Sequence, residues 1–272
     1  MRVIAVANRK GGTGKTTVCV NLASELAARG RRVLVIDLDS QGHCAMGLGL
    51  GALSPANRGI HQTLAEGAPS GALEATILPT AVAGVWLAPA TPRFEHGRLQ
   101  AAQDALRVAL ARPALHERFD LVLIDTPPSL DALLIAGLTA ADKLLVPFVP
   151  HPLSFDGVRQ LARLVFAVVS QHNPTLRILG FLPVMAASHV RQHRALAAQV
   201  GQDFGVARML PAVRMDIRLA EAFGAGRPVR DYAPRSRATE DFHVLAEEVV
   251  RRMGIDGDGK MQTSGGPPKG LR

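Results

Sequence analysis

Cysteine is almost missing from this chain. Cys19 and Cys44 are the only two among 272 residues, and they lack CxxC spacing. That excludes a disulfide framework and a zinc site built on cysteine pairs, and it fits a reducing cytoplasm. Both read as small core residues. Aromatic side chains are scarce as well, at 4%, so the core has to be built from Ala, Val, Leu and Ile. No segment approaches the roughly 20 uninterrupted apolar residues of a membrane span. The N-terminus enters an apolar strand directly, without the basic, apolar and cleavage-site regions of a signal peptide. Lysine is absent from position 144 to 259, where arginine carries all the positive charge. The nine histidines are scattered, and none is assigned to metal or catalysis. No internal repeat and no domain boundary is visible.

What the chain does have begins at its third residue. Residues 3–8 are small, apolar and uncharged, as in a strand buried on both faces of a parallel sheet. Gly11, Gly12 and Gly14 follow, then Lys15, Thr16 and Thr17, then an apolar-periodic run over 18–28. Strand, glycine-rich loop, Lys-Thr and helix form a P-loop in its expected context. Glycines let backbone N–H groups approach a phosphate without Cβ interference. The helix N-terminus adds donors and the positive end of its dipole. Residues 11–17, Thr13 included, are therefore expected to cradle the phosphates. Lys15 is a point charge for the β- and γ-phosphates, and the Thr16 hydroxyl is a ligand for Mg²⁺.

Further along, Gly30 is a natural C-cap for the first helix. A second apolar run, 33–36, delivers Asp37 and Asp39 to the C-terminal edge of the sheet, where ligands of open α/β sheets bind. Residues 47–60 read as a loop or lid, 61–66 as a short helix, 82–88 as a strand with Trp86 packed, and 98–115 as one helix. The strand over 119–124 ends in Asp125, the Walker B arrangement, so Asp125 is expected to hold Mg²⁺ through water. A helix over 133–141, a strand over 143–149, a helix over 154–170 capped by Ser154, a strand over 176–184, and helices over 190–204 and 238–253 complete the alternation. This pattern implies an α/β fold, a doubly wound, mostly parallel sheet with helices on both faces. Residues 1–253 are expected to form one domain. The Gly-, Asp-, Lys-, Ser- and Pro-rich stretch 254–272 is expected to be disordered.

One departure sharpens the reading. The ordinary P-loop starts with glycine, but Arg9 stands at that position and Lys10 precedes Gly11. KGGTGKTT, VLVIDLDSQG and DLVLIDTPPSL resemble the three nucleotide motifs of the ParA/MinD family of deviant Walker-type ATPases. That resemblance implies an ATP- and Mg²⁺-dependent ATP hydrolase that closes as a sandwich homodimer. Lys10 would reach the partner's nucleotide, Asp39 would orient or activate the attacking water, and Asp37 would lie near Mg²⁺. Ser40 replaces the family's usual proline. RLAEAFGAGRP, residues 218–228, resembles the segment near the adenine, but Ala186 and Ala187 stand where relatives carry an acidic or amide residue.

Lys plus Arg is 31 against 23 Asp plus Glu, a net +8, with a pI near 10.4. This charge suits a polyanionic partner. Arg191, Arg194, Arg214 and Arg218 are candidate DNA contacts. The two readings of this arginine-rich third are a salt-bridged helical face and a dimer-built groove that follows the DNA backbone without reading sequence. The resemblance implies nonspecific double-stranded DNA, the nucleoid, as a partner. It also implies a ParB-like or cargo-adaptor protein that stimulates weak basal hydrolysis. The cargo would be a chromosome, a plasmid or a protein assembly such as carboxysomes. A MinD-like membrane-cycling ATPase is the alternative, disfavoured because the tail has no amphipathic pattern. An iron protein of the nitrogenase-reductase type would need cysteines elsewhere.

Overall fold

The computed structural model describes residues 1–51, 58–91, 103–187 and 189–254. In chain order these form β1 (Arg2–Val6), α1 (Lys15–Ala27), β2 (Val33–Asp37), α2 (His43–Gly47), α3 (Ile60–Ala65), α4 (Ala72–Thr76), β3 (Leu78–Pro79) and β4 (Val85–Ala88). Then come α5 (Ala105–Leu110), α6 (Pro113–Arg118), β5 (Leu121–Asp125), α7 (Ala132–Ala140), β6 (Lys143–Phe148), α8 (Pro152–Gln171) and β7 (Arg177–Pro183). The last third holds α9 (Arg191–Phe204), α10 (Ile217–Gly224), α11 (Val229–Tyr232) and α12 (Arg237–Met253).

The strands lie in the order β3-β4-β2-β5-β1-β6-β7. All neighbours are parallel except the β3–β4 edge pair. Strand side chains alternate between two faces, and each face has its own core. Ala5, Leu34, Ile36, Val122 and Ile124 face one side, joined by residues of α3, α5, α7 and α8. Ile4, Val6, Val33, Val35, Leu121 and Leu123 face the other, covered by α1, α2 and α12. Helices therefore cover both faces, as the alternation of elements predicts. α1 is buried along most of its length because it fills the space between sheet and α12.

Several elements depart from the sequence reading. The single helix over 98–115 is two short ones in its described part, α5 and α6. Arg112 is extended and Pro113 opens the second, because proline disfavours a helical residue before it. The strand over 82–88 is shorter, spanning Val85–Ala88, and the two residues of β3 carry no period that the sequence can show. Ser154 is not the cap of α8, which starts two residues earlier. Its hydroxyl instead accepts the Val149 N–H at 3.2 Å. Gly30 does adopt the left-handed conformation, at φ 79°. Trp86 meets Phe119 edge-on at 5.4 Å. Residues 52–57 of the proposed lid and residues 255–272 lie outside the described residues.

The far edge of the sheet carries a close approach that matters for the site. The β6–β7 register shifts near Leu145, which pairs with Gly180. A Cβ on Gly180 would stand 2.6 Å from Leu210 Cγ and 2.8 Å from the Arg208 carbonyl oxygen. The bare glycine lets the following segment dock, with Leu210 N–H donating to Phe181 O at 2.9 Å. Gly180→Ala is expected to destabilise the protein by about 1–3 kcal/mol through overpacking, measured by urea unfolding. A change below about 0.5 kcal/mol, the size of an ordinary surface substitution, contradicts this packing.

Candidate active site

The site sits where the strand order reverses around β1. Register fixes it: β5 aligns Asp125 with Val6 of β1 on one side and with Asp37 of β2 on the other. Two strand-end aspartates thus meet beneath the loop that leaves β1. Asn8 anchors that loop. It is fully buried, donates from Nδ2 to Pro147 O at 2.8 Å and accepts the Lys10 N–H at 3.0 Å. The Thr13 hydroxyl donates to Lys10 O at 3.1 Å. Gly12 and Gly14 have φ of 74° and 73°, which only glycine adopts without strain. Gly14 is the N-cap of α1. The first-turn residues Lys15 and Thr16 therefore lie at the positive end of a 13-residue helix.

A cavity of about 350 Å³ opens over this loop. Gly11 to Thr17 line it, with Asp39, Gln41, His43, Pro128 and Phe223. Thr16 and Asp125 connect its lining to the sheet edge, the Thr16 hydroxyl donating to Asp125 Oδ2 at 2.6 Å. Asp37 accepts the N–H groups of Asp39 at 3.1 Å and Cys44 at 3.0 Å. Asp39 is half-buried, its carboxylate accepting the Gln41 N–H at 3.0 Å. Lys10 is exposed at the shoulder of the loop.

The electrostatics follow from burial. Asp125 is pushed up to about 6 by desolvation, against the pull of the Thr16 hydrogen bond and Lys15. Burial holds Asp37 well above the usual carboxylate range, and Asp125 adds to the effect. Burial also pulls Lys15 below its usual value, opposed by Asp125 and Asp39. The Asp125 Oδ1 atom is buried with no hydrogen-bond partner among the described residues. An orphaned carboxylate oxygen beside a threonine hydroxyl and a second carboxylate is a hard-oxygen donor set. It fits Mg²⁺ held partly through water.

Some participants had no sequence signal. Cys44 read as core, and it is fully buried. Yet its thiol donates to Asp125 Oδ2 at 3.4 Å, and its ligand atom clusters with those of Asp37 and Asp125 within 4.8 Å. His61 links the backbones behind Asp39: Nε2 is 3.1 Å from Leu38 O, and Nδ1 accepts the Thr91 N–H at 3.1 Å. Neither contact follows from spacing. The candidate DNA contacts lie apart from the loop. Arg191 and Arg194 are exposed on α9. Arg214 is partly exposed and ion-paired within the chain. Its guanidinium holds Asp241 at 2.7 Å and Glu240 at 2.8 Å, pinning the 213–216 segment to α12. Arg218 is about half exposed and pairs with Glu221 on its own helix.

The raised Asp125 value sets a sign for stability. The folded carboxyl keeps its proton to about pH 6, whereas an unfolded one loses it near 4. The native state then binds more protons between those values, so stability falls as pH rises through that window. Asp125→Asn is expected to raise the melting temperature of the nucleotide-free protein at pH 7 and to flatten this decline. An unchanged or lowered melting temperature at pH 7 contradicts the assignment.

Comparison with known proteins agrees with this geometry. The AAA domain family profile matches residues 1–178. The chain is 39% identical over 255 residues to the chromosome-partitioning ATPase Soj of Thermus thermophilus, across 93% of this chain and 97% of that protein. It is 34% identical over 257 residues to the chromosome partitioning protein ParA of Caulobacter vibrioides, across 93% and 95%. A solved cobyrinic acid a,c-diamide synthase of Mycobacterium smegmatis, with bound ADP and magnesium, superimposes with a TM-score of 0.73 at 30% identity, over 97% of this chain and 100% of that one. Similarity of this depth along nearly the whole of both partitioning proteins places the chain in the ParA/Soj family of P-loop ATPases.

Proposed function

We propose that residues 1–253 form a single ATPase domain that binds Mg²⁺ and ATP, closes as a sandwich dimer, and holds nonspecific DNA only while closed. The observation that carries this is the Thr16–Asp125 hydrogen bond beneath a glycine loop with Asp39 on the rim. Residues 11–17 bind the phosphates. Lys15 and the α1 N-terminus hold their charge. Thr16 would ligate Mg²⁺, with Asp37 and Asp125 reaching it through water. The metal supplies neutralisation of charge on the β- and γ-oxygens. Asp39 orients the attacking water. Lys10, free of the cavity lining and exposed, reaches the partner subunit's phosphates.

The wider function rests on charge and kinship. Arg218 and Arg235 line one shallow groove of about 600 Å³ with Tyr232 and Ser236. Together with Arg191 and Arg194 they form the DNA surface, doubled by the two-fold axis of a closed dimer. A ParB-like or cargo-adaptor protein stimulates hydrolysis, the dimer opens and DNA is released. The cycle segregates a chromosome or plasmid, or positions a protein assembly. Among the described residues no helix is long and apolar enough to cross a membrane, and the site of action is the nucleoid.

Asp39→Ala is expected to bind ATP with ordinary affinity, lose hydrolysis and accumulate as a dimer in light scattering. Lys10→Ala is expected to bind ATP as a monomer. Turnover at the wild-type rate in the first variant, or an ATP dimer of ordinary strength in the second, removes that residue from the mechanism.

Duplex binding is expected to require ATP, ignore sequence and fall steeply between about 50 and 200 mM salt, with a log–log slope of roughly −0.9 per phosphate neutralised. Arg218→Glu with Arg235→Glu is expected to abolish it and spare ATP binding. A wild-type ATP dimer that ignores duplex DNA at low salt but sediments with anionic vesicles would replace the nucleoid reading with the membrane-cycling one.

A further inference from the structure

The exits of β2 and β4 leave the sheet side by side, because Ile36 pairs with Ala88. Asp39 follows one strand and Thr91 the other. α3 seats a histidine between them. Its first residue, Ile60, donates its N–H to Pro89 O at 2.8 Å, and the Gln62 N–H donates to the Thr91 hydroxyl at 3.3 Å. Gly59 permits this approach, since a Cβ there would stand 2.6 Å from Thr91 Cα. His61, the second residue of the helix, is fully buried as a result.

The two ring nitrogens of His61 have different tasks. Nδ1 accepts the Thr91 N–H at 3.1 Å, so the ring proton sits on Nε2, which donates to Leu38 O at 3.1 Å. The peptide unit that carries this carbonyl also carries the Asp39 N–H, which donates to Asp37 Oδ1 at 3.1 Å. That unit is therefore gripped at both ends, by His61 on one side and Asp37 on the other. One peptide earlier, the Leu38 N–H donates to Asp125 O at 2.9 Å. The Asp39 Cα is bonded directly to the gripped unit, so any rotation of the unit swings the Asp39 carboxylate. Leu38 is fully buried. Without the Nε2–H its carbonyl would lose a donor in a place where water does not reach, and the peptide would turn toward another.

We propose that His61 is a positioning residue for hydrolysis. Its Nε2–H fixes the peptide between Leu38 and Asp39, and through it the angle at which Asp39 meets the attacking water. His61 does not line the phosphate cavity and acts through the backbone. A misplacement of about 1 Å at a reacting group can cost on the order of a hundredfold in rate. Nucleotide binding by residues 11–17 does not pass through this peptide. The inference rests on the reading of Asp39 given above and adds the residue that aims it.

Two substitutions separate the two nitrogens. His61→Gln puts an amide N–H where Nε2 lies and gives up the Thr91 bond. His61→Asn puts an amide oxygen where Nδ1 lies and gives up the Leu38 bond. Each loses one buried hydrogen bond, so both are expected to melt lower than wild type. Single-turnover hydrolysis of ATP by the full chain with Mg²⁺ is expected to slow by about tenfold to a hundredfold in the Asn variant and to stay within about threefold of wild type in the Gln variant. Affinity for a non-hydrolysable ATP analogue, measured by calorimetry, is expected to be unchanged in both, because the lost alignment matters only in the transition state. An Asn variant at the wild-type rate, a Gln variant as slow as the Asn one, or rates that follow melting temperature instead of the retained bond overturn the proposal. Should the Asn variant not fold, the Gln variant decides alone: slowing beyond about threefold with unchanged analogue affinity overturns the proposal, and a smaller change upholds it. Wild-type turnover in Asp39→Ala would instead defeat the reading of Asp39 on which the proposal rests.

Discussion

The structure depends on two carboxylates kept out of water at the end of a parallel sheet. Asp37 and Asp125 face each other in register, and their exposures are 0% and 1%. Burying like charges side by side opposes folding, and it raises both toward the protonated form. The surroundings offset part of the cost. Backbone N–H groups of Asp39 and Cys44 serve Asp37, and the Thr16 hydroxyl and Cys44 thiol serve Asp125. One oxygen of Asp125 still has no partner. A divalent cation bound at these carboxylates, as proposed above, would offset that remaining cost and so link cation binding to stability.

From that constraint the rest of the active edge follows. Strand register places the P-loop over the two carboxylates, and Asn8 sets the loop's entry angle from its place between Pro147 and Lys10. The exit of β2 carries Asp39 to the rim, while His61 ties Leu38 to Thr91 behind it. On the far side, Gly180 lets the 208–215 segment close on β7, and the Arg214–Asp241 pair fixes it to α12. The same segment forms one wall of the cavity beside the phosphate loop.

The sequence was most legible where chemistry and periodicity coincide. Residues 3–17 showed strand, loop and helix together, because glycine, lysine and threonine at fixed offsets follow an apolar strand. Asp37 and Asp125 were legible as strand-end carboxylates, but their direct opposition was not, since register is a property of pairing. Cys44 was invisible because a buried cysteine has the same local pattern whether it touches leucine or aspartate. His61 was equally silent, as its partners are 23 and 30 residues away. The pairing of Arg214 with Asp241 was not legible, because charge counting cannot see which acid α12 brings to it. The 98–115 pattern looked like one helix because its periodicity outweighed a single proline at 113.

The central claim is that register, through Asp37, Asp125 and Thr16, builds a Mg²⁺ and ATP site. A crystal structure of the full chain with Mg²⁺ and a non-hydrolysable ATP analogue tests it most directly. The account predicts the triphosphate wrapped by residues 11–17 and the Thr16 hydroxyl on the cation. Asp125 should have released its direct hydrogen bond to face the metal through water. A triphosphate bound outside this loop, or a cation held without Thr16, would contradict it.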